Sequence, residues 1–240
     1  MRPGGVALQN YDQQVNYDFR KRGQFYFLYR LGRRIGTVVA ETQFDCVAKA
    51  CPVGTMVRVL PLANLAKEIS GIVTNYPLPR RALSVSSINP KQKAVLQEMA
   101  RVWARAKFSP KVRKVFLELM RQGALRTSLE IGQLSRDGRL VLIGSWVLGS
   151  MSESHYGDED TLHEALLIIA EQQPDGSFKV VTGSGSMAED GCAYFDHADI
   201  DLNGTDEILL ECDALEGSYV YGVIKRKKSK WQLTFTGLRN

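Results

Sequence analysis

The chain has little of what most enzyme sites are built from. Its 240 residues include only three histidines and four cysteines. His155, His163 and His197 form no HExxH pair, and the cysteines at 46, 51, 192 and 212 offer CVAKAC but no convergent CxxC or Cys/His spacing. Those absences exclude the common zinc sites. No GxSxG turn is present to expose a nucleophilic serine. The nearest approach to a phosphate loop, GSGSMAEDG at 183–191, lacks the following lysine and helix. Its acidic pair repels phosphate, so it reads as a flexible connection. No catalytic function is expected.

Long apolar runs are missing too. Nothing approaches the roughly 18 to 20 apolar residues of a membrane-spanning helix, and the opening MRPGGVALQNYDQQ lacks the apolar core of a signal peptide. Acids are scarce in the first half and bases in the second. Residues 1–126 carry 22 Lys or Arg against 7 Asp or Glu, a net +15, whereas residues 127–240 carry 9 against 19, a net −10. Either the halves neutralise each other, or the first binds an anionic partner and the second binds cations.

What is present fits a globular α+β protein, 44% hydrophobic and 24% charged. Residues 1–18 are polar and read as a flexible terminus. Residues 19–85 form a small β-rich region, since QFYFLYRLGRRIGTVVAETQF and GTMVRVLPLA are aromatic and β-branched, with prolines 77 and 79 ending it. Residues 86–126 read as a helical pair. The first helix has Asn89 as cap, Pro90 at its first position, and apolar residues at 95, 96, 99, 102, 103 and 106; the second has Ser109, Pro110, apolar Val112, Val115, Phe116, Leu119 and Met120, and Gly123 as terminator. Eight basic residues between Arg101 and Arg126 lie on the opposite faces.

Beyond Thr127 the chain reads as antiparallel strands: SLEIGQL, RLVLIGSWVL, HEALLIIAEQ, SFKVVTG, DEILLEC, SYVYGVIKR and KWQLTFTG, with turns at Asp137-Gly138, Asp175-Gly176 and Ser229. A repeat runs through them. Placing Gly138 on Gly204 aligns SRDGRLVLIGSW with DLNGTDEILLEC, and ALLIIAEQQPDGSFKVVTG with YVYGVIKRKKSKWQLTFTG, provided the acidic linker at 150–163 is the longer connection. The repeats occupy 127–183 and 190–240. Cys192 and Cys212 are equidistant from Leu202, so a hairpin centred there would let them face each other, as a disulfide or as two buried thiols. Cys46 and Cys51 are a second local pair.

One stretch carries chemistry. In DIDLNGTDEILL, residues 199–210, Asp199, Asp201 and Asn203 take alternate positions, Gly204 allows a sharp turn, Thr205 offers a carbonyl, and Glu207 follows. Calcium needs six to eight oxygen ligands, and a short loop supplies them only with this alternation. An EF-hand is excluded, because its twelfth position requires glutamate and Leu210 stands there, leading into a strand. His197, two residues before the loop, is either a neighbour of the ion through water or a packing residue.

DIDLNGTDEILL, between strands and inside a repeated unit, resembles the calcium loops of FG-GAP/VCBS repeats, the blades of integrin-like β-propellers, which run DxDxDGxxD into an apolar strand. The resemblance spans roughly residues 89–240 and extends to bacterial secreted or lipid-anchored proteins with one or two such repeats behind a helical segment. It implies Ca2+ ligation by Asp199, Asp201, Asn203, Thr205 and Glu207, with glutamate where aspartate is usual. It also implies a C-terminal region of two propeller-blade-like repeats, of which 127–183 is degenerate. There Gln133, Ser135, Asp137, Arg139 and Val141 replace the ligands, leaving one carboxylate and admitting an arginine. Two blades cannot close a propeller, so an open sheet, a two-blade stack or a partial sandwich is expected.

The resulting expectation is a noncatalytic binding or interaction module in a periplasmic or extracellular setting, meeting a protein or glycan partner. Its single calcium is structural, with an affinity on the order of 0.1 to 1 mM. The competing expectation is a cytoplasmic protein whose basic first half binds nucleic acid or another polyanion; no recognised nucleic-acid motif supports it.

Overall fold

The computed structural model describes residues 23–44, 54–61, 71–74, 76–78, 88–149, 164–184, 192–213, 219–227 and 230–236. The expected terminus at 1–18, Cys46, Cys51, His155, His163 and Ser229 lie outside them, as do residues 150–163 and most of 183–191. The fold is α+β, with two helices and three four-stranded sheets among the described residues. The chain divides into two compact units. One comprises Met1–Ala82, Asp196–Asp206 and Gly237–Asn240; the other comprises Leu83–Phe195 and Glu207–Thr236.

In the first unit, β1 (Phe25–Arg30), β2 (Arg33–Phe44), β3 (Gly54–Pro61) and β4 (Ile72–Thr74) form an antiparallel sheet ordered β3-β2-β1-β4. Alternation of apolar residues fixes its buried face, where Tyr26, Leu28, Val38 and Ala40 cluster with Ile35 and Val73. The β1–β2 turn has two residues, Leu31 (φ 50°) and Gly32 (φ 65°), whose left-handed backbone suits the twist of a hairpin. After β4 the chain passes back over β1, and Leu78 donates its N–H to the Tyr29 hydroxyl at 2.8 Å. The three-residue strand β4 was not expected from the sequence. It follows Gly71, where a side chain would strike the Tyr29 carbonyl.

The second unit begins with the helices. Asn89 caps α1 (Pro90–Lys107) in a reciprocal arrangement: its side chain accepts the Gln92 N–H, and the Gln92 side chain accepts the Asn89 N–H. Ser109 caps α2 (Pro110–Gln122), and Gly123, at φ 70°, ends it with an N–H to Leu119 and Met120 carbonyls. The buried stripe of α2 is Val112, Phe116 and Met120, with Val115 and Leu119 half-buried as expected. That of α1 is Leu96, Ala100 and Ala104. The expected apolar face of α1 is therefore corrected: Val95 and Val102 point outward, 37% and 53% exposed, and Ala106 is exposed. Alanines every fourth residue let the helix lie close to the sheet beneath it, and that contact sets its rotation.

That sheet is ordered β5-β6-β7-β8, from β5 (Arg126–Gly132), β6 (Val141–Leu148), β7 (Glu164–Gln172) and β8 (Phe178–Ser184). A second sheet, ordered β12-β11-β10-β9, comprises β9 (Cys192–Ala198), β10 (Glu207–Asp213), β11 (Tyr219–Lys227) and β12 (Lys230–Thr236). Both sheets thus link their strands in chain order, and each has a loop between its first and second strands. The strand β9 was not among the strands read beyond Thr127, but it forms the first arm of the hairpin considered about Leu202, and its Asp196 and His197 are buried.

Every residue of β6 is buried, because both faces of its sheet are covered. Leu142, Trp146, Leu148, Leu166 and Ile168 pack against Leu96, Ala100, Ala104 and Phe116. On the other face Val147 and Ala165 meet Ala193, the Ser145 hydroxyl accepts the Tyr194 N–H, and Thr182 donates to the Trp231 carbonyl. Gly144 lies under the Trp146 indole, and a methyl there would come within 2.7 Å of Cζ3. Gly144→Ala is expected to displace the indole and cost about 1 to 3 kcal/mol, as overpacking does. Urea denaturation with Trp fluorescence measures it; an unchanged midpoint would refute the packing argument.

Candidate metal centre

The loop between β9 and β10 turns through two left-handed residues, Leu202 (φ 60°) and Gly204 (φ 91°). Its polar side chains curl it. Both Asp199 carboxylate oxygens accept the Gly204 N–H, at 3.2 and 3.0 Å. Asp201 accepts from the Asn203 N–H at 3.2 Å, and the Asn203 Oδ1 accepts from the Thr205 N–H at 2.7 Å. Each polar residue in the alternating series thus bends the backbone after it.

The consequence is convergence. One oxygen each of Asp199, Asp201 and Glu207 lies within 4.8 Å of the others. Oxygens bound to one calcium at 2.3 to 2.6 Å are at most about 5 Å apart, so the triad fits a hard divalent cation. Asp199 and Glu207 are buried and Asp201 is exposed. Asn203 and Thr205 share the loop, Asn203 exposed and Thr205 partly so. The Lys225 Nζ stands 3.7 Å from Glu207 Oε1, supplying part of the positive charge this carboxylate requires. Among the described residues no other group of three or more His, Cys, Asp or Glu side chains has this spacing.

The residues interleaved with the triad point elsewhere. Asp206 Oδ2 lies 2.9 Å from His197 Nδ1, both side chains buried. His197 therefore pairs with an aspartate that is not among the expected ligands. Asp196 is fully buried; its Oδ1 accepts the N–H groups of Leu31 and His197, both at 2.7 Å. Burial pushes its carboxyl pKa up, against the pull of those hydrogen bonds and of Arg30. The Tyr76 hydroxyl donates to the Ile200 carbonyl at 2.6 Å.

The corresponding loop between β5 and β6 is built around an arginine. Arg226 of β11 donates from Nη1 to Asp137 Oδ2 at 2.8 Å and to the Ser135 hydroxyl at 3.0 Å, and its Nε lies 3.1 Å from Glu171 Oε1. Glu171, 4% exposed, also accepts the Trp231 Nε1–H at 2.8 Å. Burial raises the Asp137 pKa, but the Ser135 and Arg226 hydrogen bonds and the Arg139 N–H outweigh it, holding the group at about 2. Gln133 and Arg139 are exposed and Val141 is buried. A guanidinium thus faces the one carboxylate this loop retains.

Cys192 and Cys212 form a disulfide. The basic residues of the helices are largely solvent-facing, with Arg101 paired to Glu98 and Arg121 to Glu118. No described helix is long and apolar enough to cross a membrane. Compared with protein-family models, curated proteins and solved structures, the chain matches none.

Proposed function

We propose that the chain is a noncatalytic interaction module in which the 199–207 loop holds one structural Ca2+, in the manner of an FG-GAP/VCBS repeat. The observation that carries the reading is the meeting of Asp199, Asp201 and Glu207 oxygens within 4.8 Å. Like charges at that separation repel unless a cation lies among them. Asn203 and the Thr205 carbonyl complete the proposed ligand set. Bound there, the ion supplies charge neutralisation and rigidity. Two sheets of equal strand number and matching order, the second meeting the uncovered face of the first, support a two-blade stack. The Cys192–Cys212 bond supports an extracytoplasmic setting, where disulfides persist. Arg226 at Asp137 supports the reading that the first repeat has no metal.

Chelation tests the proposal. With a dissociation constant of about 0.1 to 1 mM, 5 mM calcium stabilises the folded state by about 1 to 2 kcal/mol, or roughly 2 to 8 °C in Tm. Scanning calorimetry in EDTA and then in calcium should show that rise. Identical melting curves in the two buffers would end the calcium reading.

A further inference from the structure

We infer that calcium at the 199–207 loop controls the local stability of the N-terminal sheet, through contacts that alternate along the loop with the ligands. The inference rests on the metal reading above and adds a regulated element to it. Asp199 and Asp201 are ligands, and between them the Ile200 carbonyl accepts the Tyr76 hydroxyl at 2.6 Å. Glu207 is a ligand, and beside it Asp206 holds His197 at 2.9 Å. That buried pair supports the β1–β2 turn: a Cβ on Gly32 would sit 3.4 Å from both Asp206 Oδ2 and His197 Cε1. On the same turn, Leu31 donates its N–H to Asp196 Oδ1, a contact between residues 165 apart in sequence.

The loop therefore presents two sets of groups, one converging on the ion position and one clasping the β1–β2 turn and the segment after β4. Without a cation, repulsion among Asp199, Asp201 and Glu207 favours their separation, and Ile200 and Asp206 must follow the residues they are bonded to. With the ion bound, both are fixed where Tyr76 and His197 meet them. The hairpin turn is then held by a buried carboxylate whose position no longer fluctuates. Coupling of this kind is reciprocal: whatever calcium adds to the hairpin, the hairpin adds to calcium affinity.

Amide hydrogen exchange on the full chain, in EDTA and in 5 mM calcium, with calorimetry of calcium binding alongside, tests this. Exchange at Leu31 and across β1 and β2, faster than in β6 in both buffers because the hairpin opens locally, is expected to slow about five- to fiftyfold with calcium. Asp199→Asn combined with Asp201→Asn should abolish the slowing. In the reverse direction, Tyr76→Phe removes the hydroxyl that donates to Ile200 and is expected to weaken calcium binding about three- to tenfold. Calcium heat with unchanged Leu31 exchange, or with unchanged affinity in Tyr76→Phe, would overturn the coupling and leave the metal reading standing. Hairpin exchange as slow as that of β6 in both buffers would also overturn it, because the hairpin would then open only when the whole fold does. No calcium heat and no slowing would remove both.

Discussion

Arg226→Leu is expected to destabilise the second unit by about 3 to 5 kcal/mol, the usual cost of removing one partner from a buried ion pair. Arg226 touches three groups at once: Glu171 in β7, and Ser135 and Asp137 in the loop after β5. Glu171 is 4% exposed and would keep only the Trp231 indole N–H. A charge so placed cannot be hydrated without opening the sheets. Urea denaturation should show the loss, and Glu171→Leu combined with Arg226→Leu should recover most of it by removing the unpaired charge. A single-variant loss below about 1 kcal/mol would mean that water reaches Glu171, and that the network does not hold the sheets.

Asp199→Asn is expected to change stability in opposite directions with and without calcium. Asparagine keeps an oxygen to accept the Gly204 N–H, so the turn survives. In EDTA the substitution removes one of three clustered charges, relieving repulsion of about 1 to 3 kcal/mol per pair near 4.8 Å, and the variant should melt at or above the parent. In calcium it should melt below, having lost a charged ligand, with at least a hundredfold drop in affinity. Calorimetric melting of both proteins in both buffers decides it. Curves that shift together in the two buffers would show that Asp199 is a turn residue and nothing more.

Local signals were the legible ones. The helix caps Asn89 and Ser109 and the terminator Gly123 could be read because their partners lie within a few residues. Strands β6 and β7 could be read because burial on both faces makes them continuously apolar. The face of α1 was misjudged, since small alanines at 100 and 104 carry a weak hydrophobic signal and yet permit the closest approach. Strand β4 is three residues long, too short for a period to show. Strand β9 hides two buried polar residues whose partners, Leu31 and Asp206, no pattern in its own residues reveals.

The candidate site divides in the same way. Its acidic triad was legible from the alternation within one loop, and the structure brings Asp199, Asp201 and Glu207 together. The support for that loop was not, because Leu31 and Tyr76 stand 165 and 124 residues from the atoms they reach. Arg226 was equally hidden. In KRKKSK it looks like one of a solvated basic run, whereas its side chain is 11% exposed and occupies the loop of the other sheet.

The bond between Cys192 and Cys212, twenty residues apart, closes a covalent ring of which the whole loop is a part. The ring shortens the excursions open to that segment when the chain unfolds, by about 3 kcal/mol in a chain-entropy account. A protease cutting anywhere between the two cysteines leaves a nicked molecule whose fragments stay joined until a thiol reductant separates them.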